Sequence, residues 1–70
     1  MSNRIVFKIE GTGKRCTYYI YSQRRIFDVL LYHELADSYE EAIEASSWCE
    51  LATVGEVFYG KDFTITVEEE

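Results

Sequence analysis

Period-two alternation at both ends of the chain is the feature that most restricts its fold. Arg4 to Glu10 alternates, with Ile5, Phe7 and Ile9 on one side and Arg4, Val6, Lys8 and Glu10 on the other. Phe63 to Glu68 does the same, with Phe63, Ile65 and Val67 set against Thr64, Thr66 and Glu68. Successive strand side chains point to opposite faces, so segments of this kind form strands with one face in a core and one in water. Gly11-Thr12-Gly13-Lys14 follows the first segment and predicts a hairpin turn, because glycine reaches positive φ without a steric penalty. Arg15 to Tyr21 is then the returning strand. Cys16, Tyr18 and Ile20 share one side of it and Thr17, Tyr19 and Tyr21 the other, so aromatic residues on both sides leave its inward face open. Glu56 to Tyr59, a Gly60-Lys61-Asp62 turn and the last segment form a second hairpin.

Between the hairpins the apolar period lengthens. Ser22 is a candidate N-cap, and Gln23 to Ala36 is predicted helical, with Ile26, Phe27, Leu30 and Leu31 on one stripe. Val29, Tyr32 and Ala36 lie nearly opposite, and a helix apolar on two sides is sandwiched or used at an interface. Ile26 to Tyr32 also fits a buried strand. Ser38-Tyr39-Glu40-Glu41 has the capping-box form, in which the serine oxygen accepts the Glu41 N–H and the Glu41 carboxylate reaches back. The second helix is predicted to run to about Leu51, with Tyr39, Ala42, Ile43, Ser46 and Cys49 inward. Trp48 then projects off that stripe near Glu41 and Glu44; a rolled helix would instead pack Ala45, Trp48 and Ala52 on the first helix. The expected fold is one small α+β domain over residues 1–70 in the order β-β-α-α-β-β. An antiparallel four-stranded sheet carries two helices packed on one face, and residues 68–70 form a frayed acidic tail. The sequence leaves the strand order open.

Seventy residues bury only about 60% of the unfolded surface, too little for an enclosed substrate cavity beside a core. Apolar content of 47% with 16% aromatics argues against disorder. No apolar run approaches the roughly 20 residues of a membrane helix, and none of signal-peptide type follows Met1. Cys16 and Cys49 are fewer cysteines than a secreted mini-protein of this size uses. These points predict a cytoplasmic protein with reduced thiols, a Cys16–Cys49 disulfide being the alternative.

Catalytic, metal and cofactor signatures are weak. His33 is the one histidine, no Cys-x-x-Cys or paired-histidine spacing exists, and His33 with Asp37 forms at most an i,i+4 contact. Gly11-Thr12-Gly13-Lys14 lacks the rest of a phosphate-binding loop and precedes a strand where that motif needs a helix. The chain reads as a non-enzyme without cofactor or metal.

Charge is the remaining signal. Residues 1–25 carry six cations against one acid, a net of +5; residues 26–70 carry Lys61 against twelve acids, a net of −11. Glu34, Asp37, Glu40, Glu41 and Glu44 cluster around the two helices and, with Trp48 as an anchor, form a candidate ridge for a basic partner. The leading reading is a bacterial-type protein-interaction module, an inhibitor whose acidic ridge fills a basic nucleic-acid-binding groove of its target. A solvated acidic face is the simpler account of the same residues. A homodimeric accessory protein is the alternative, associating through the first helix or through Tyr19, Tyr21 and Phe58 on the sheet face the helices leave open. Lys14, Arg15, Arg24 and Arg25 form a candidate basic patch, but the net charge of −6 argues against direct nucleic-acid binding.

Overall fold

The computed structural model describes residues 4–13 and 16–70. Lys14 of the expected turn and Arg15, the expected start of the returning strand, both candidates for the basic patch, lie outside them. Four strands and two helices follow in the expected order: β1 (Ile5–Gly11), β2 (Cys16–Ile20), a 3-10 turn (Gln23–Arg25), α1 (Ile26–Tyr32), α2 (Tyr39–Leu51), β3 (Val57–Tyr59) and β4 (Phe63–Glu69). All strand pairs are antiparallel and the sheet order is β2-β1-β4-β3. The two alternating terminal segments therefore pair with each other in the centre, Ile9 opposite Ile65 and Phe7 opposite Val67. That register stacks both apolar stripes on one face, where α1 and α2 cover them. Phe7, Ile9, Phe63, Ile65 and Val67 meet Ile26, Leu30, Leu35, Ala42, Ala45 and Cys49 in one buried cluster.

The ladder direction follows from its two ends. Thr12 N donates to Asp62 O at 2.9 Å and Glu70 N donates to Arg4 O at 2.8 Å. Even-numbered residues of β1 thus bond β4, and odd-numbered ones bond β2, because backbone groups alternate direction along a strand. On β2 the partners Cys16, Tyr18 and Ile20 point their amides inward. The amides and carbonyls of Thr17 and Tyr19 point away from the sheet. The bond from Glu70 also carries the acidic end of the chain into the sheet, with Glu68 and Glu69 inside β4. Residues 68–70, expected as a frayed tail, are thus tied to β1 by backbone pairing.

α1 is shorter than the sequence predicts, beginning at Ile26 after the 3-10 turn and ending at Tyr32. Glu34 sits in the left-handed region at φ 54°. Glu34 N donates to Leu31 O at 3.1 Å and Leu35 N to Leu30 O at 2.9 Å, the two bonds of a Schellman stop. Leu30 and Leu35 are both buried, so the stop also seals the core. The residue that takes the left-handed conformation is usually glycine or asparagine. Glutamate there left no sequence signal, which is why the helix was expected to reach Ala36.

α2 starts where the capping box predicts. Ser38 Oγ accepts from Glu41 N at 3.1 Å. Its inward face differs from the expected one: Ala42, Ala45 and Cys49 are buried, whereas Tyr39 and Ile43 are 63% and 44% exposed. The cause is Trp48, whose ring lies 5.5 Å from that of Phe58 on β3. Covering an indole removes more apolar area from water than covering Ile43 would. Alanines on the inner face let the helix approach closely, and Gln23 Nε2 holds it by donating to Ser46 O at 2.9 Å.

The β3–β4 turn needs its glycine for space. Gly60 N donates to Phe63 O at 2.8 Å, and a Cβ on Gly60 would stand 2.4 Å from the ring of fully buried Phe63.

Candidate interaction surfaces

The predicted acidic ridge divides into separate groups. Glu41 is committed to structure: its Oε1 accepts from Asp37 N at 2.7 Å and its Oε2 accepts from Lys61 N at 2.8 Å. One carboxylate thus caps α2 and clips the β3–β4 turn to it. Asp37 meets Lys61 Nζ at 3.3 Å, an exposed ion pair beside the same clip. Glu34 lies apart, lining a cleft of about 270 Å³ with Gly13, Leu35 and Asp62. Trp48 is half-buried against the core, as on the rolled helix that the sequence offers as the alternative, and it packs on Phe58 of β3. Glu40 and Glu44 remain, both exposed on the outer side of α2 and without an ion pair among the described residues.

Beside them runs an apolar strip that the sequence reading missed. Tyr39 and Ile43 occupy one i,i+4 row of α2, and Glu40 and Glu44 the adjacent row. The Tyr39 ring meets Phe27 of α1 edge-on at 5.2 Å, and Leu31, one turn beyond Phe27, is also exposed. Phe27 and Leu31 belong to the first apolar stripe of the first helix, whose inner members Ile26 and Leu30 are the ones buried. Their partners Tyr39 and Ile43, expected inward, stand exposed beside them because α2 is rolled.

Arg24 and Arg25 are exposed in the 3-10 turn and form no ion pair with a described residue. Arg25 lines a cleft of about 350 Å³ with Asp28, Val29, Tyr32 and His33. The His33 ring stacks on Tyr18 of β2 at 4.3 Å, which sets this cleft against the outer edge of the sheet. His33 stacks on Tyr18 and Asp37 pairs with Lys61, and α1 ends at Tyr32, before both residues could share one helix.

On the face the helices leave open, Tyr19 lies opposite Lys8 and is 56% exposed. Tyr21 follows on the same side; its hydroxyl donates to Glu70 Oε2 at 2.7 Å and the Arg4 guanidinium lies 5.2 Å from its ring centre. The bond to Glu70, helped by partial burial and the glutamate charge, raises the Tyr21 phenol above its usual range, while Arg4 opposes that shift. Phe58 does not belong to this face. It pairs with Ile65, so it faces the helices and stacks on Phe63 at 6.0 Å. Tyr59, its neighbour in β3, takes the open side and is 77% exposed. Val6 shares the open side yet is only 5% exposed, so this face has a small apolar floor of its own.

Both cysteines are free thiols. Burial pushes Cys49 up to about 12, which keeps it protonated and unreactive. Cys16 is half-buried, and Tyr18, raised by burial and then by its hydrogen bond to Cys16, lies beside it. Among the described residues no cluster of His, Cys, Asp or Glu is placed to hold a metal, and no helix is long and apolar enough to cross a membrane. No family model matches the chain, and neither a curated protein nor a solved structure is significantly similar to it.

Proposed function

We propose that this protein is a non-enzymatic, cytoplasmic interaction module whose outer helix surface binds a basic protein, with a nucleic-acid-binding groove as the fitting target. The observation behind this reading is the pairing of exposed Glu40 and Glu44 with the exposed apolar row Tyr39 and Ile43. Apolar anchors beside carboxylates suit a site where a cationic groove has apolar walls: the anchors supply buried area and the carboxylates supply steering and register. The net charge of −6 strengthens attraction to such a partner at a distance. Binding of this kind inhibits the target by occupying the place of a phosphate backbone.

The test is recovery of a partner by the wild-type chain and by a Glu40→Lys/Glu44→Lys variant that keeps Glu41 and its clip. The expected result is a partner that leaves the wild type at moderate salt and is not retained by the variant at equal folded concentration. Equal retention by both chains would refute the assignment to this surface. A homodimer through the open sheet face is a second reading, favoured by exposed Tyr19 and Tyr59 and read out by sedimentation across a concentration series.

A further inference from the structure

We infer that the outer edge of β2 is a docking site for an extended acidic segment of a partner protein, added to the sheet as a fifth strand. The outward amides and carbonyls of Thr17 and Tyr19 have no backbone partner among the described residues. Exposed edges are normally blunted by charge, proline or a bulge. The Cys16–Ile20 edge carries none of these: its sequence is Cys-Thr-Tyr-Tyr-Ile and its pairing with β1 runs without interruption. The opposite edge, β3, is only three residues long.

Strand addition draws affinity from backbone bonds and specificity from pockets that take alternate side chains. Such a pocket is present. The Arg25–Asp28–Val29–Tyr32–His33 cleft adjoins Tyr18 through the stacked His33 ring, on the helix-covered side of the edge. A residue of the added strand placed beside Tyr18 would send its side chain towards this cleft. Cys16, Tyr18 and Ile20 are half-buried on the same side, and an added strand would complete their cover.

Charge selects the occupant. Arg24 and Arg25 stand in the 3-10 turn that follows β2 and have no ion partner among the described residues. Lys8 stands opposite Tyr19, sharing its charge with Glu10 at 3.9 Å, and Arg4 lies over Tyr21. Residues 1–25 carry a net of +5, six cations against Glu10. A second copy paired edge to edge would bring two such segments together, whereas an acidic strand meets them with opposite charge.

The probe is a short capped peptide of alternating valine and threonine with paired glutamates at each end, compared with a twin whose ends are lysines. The expected result is saturable binding of the glutamate peptide at low salt, at least about tenfold tighter than the twin. Amide exchange at Thr17 and Tyr19 should slow by about tenfold or more, while the already bonded Cys16, Tyr18 and Ile20 stay as they were. Thr17→Pro removes an outward N–H at an edge position where proline is tolerated, and should lose the peptide with the fold intact. Should that variant fail to fold, Arg25→Glu serves in its place and should lose the preference for glutamate ends. Equal affinity for the twins, or unchanged exchange at Thr17 and Tyr19 under saturating peptide, would overturn the inference. Concentration-dependent protection of the same amides without peptide would also overturn it, by giving the edge to a second copy.

Discussion

Glu41 was grouped with the binding acids by sequence, and the structure makes it a fastener. Its two oxygens accept the backbone amides of Asp37 and Lys61, the latter 20 residues away. Replacing it with alanine leaves two amides to water and removes a negative charge from the first turn of α2. Hydrogen bonds to a charged acceptor contribute about 1.5–3 kcal/mol when shielded. These are exposed, so about 1 kcal/mol each is the appropriate scale, with a few tenths more from the helix dipole. The expected loss is therefore about 2 kcal/mol for Glu41→Ala and about 1 kcal/mol for Glu41→Gln, which keeps one acceptor oxygen. In a domain of this size that lowers Tm by roughly 8–16 °C and 4–8 °C respectively. Urea unfolding and thermal melts of both variants, alongside Glu40→Gln and Glu44→Gln, measure this directly. The two controls should stay within about 0.5 kcal/mol of wild type. Equal stability of Glu41→Gln and Glu40→Gln would refute the clip and return Glu41 to the binding surface.

Other consequences follow from single contacts. Gly60→Ala drives a methyl group into the Phe63 ring and should cost about 1–3 kcal/mol in urea unfolding, since the buried ring has nowhere to move. Glu34→Gly relieves the left-handed conformation that ends α1 and should raise stability by up to about 1 kcal/mol, measured in the same way. Cys49 has its folded pKa raised from 9.0 to about 12, so the unfolded chain releases this proton first and stability should fall as pH rises from about 9 towards 12. Cys49→Ala should remove that part of the slope, as followed by melts across this range. With iodoacetamide at neutral pH, mass spectrometry should find Cys16 labelled long before Cys49.

Strands were legible because alternation is a direct imprint of a half-buried sheet. Phe63, Ile65 and Val67 face the core as their spacing implies, and the capping box marks the start of α2. The end of α1 was not legible, since its left-handed residue is a glutamate. The roll of α2 depended on a competition that periodicity alone leaves undecided: Ile43 and Tyr39 offered one inward stripe, Ala45 and Trp48 another. Contact between Trp48 and Phe58 decides it, and that requires knowing that β3 turns Phe58 towards the helices. A strand of three residues gives too short a pattern to assign its faces. The separate task of Glu41 within the acidic ridge was illegible for a related reason. A run of acids along a helix shows charge, and nothing in the run shows that one carboxylate is held by a turn far along the chain.

The most direct test of the proposed function uses the recovered partner itself. Labelled duplex DNA is bound to that partner, and this protein is titrated in while fluorescence anisotropy is followed. The account predicts that the wild-type chain displaces the DNA stoichiometrically and that Glu40→Lys/Glu44→Lys, folded to the same Tm, does not. Simultaneous binding of DNA and wild-type protein to the partner would contradict it.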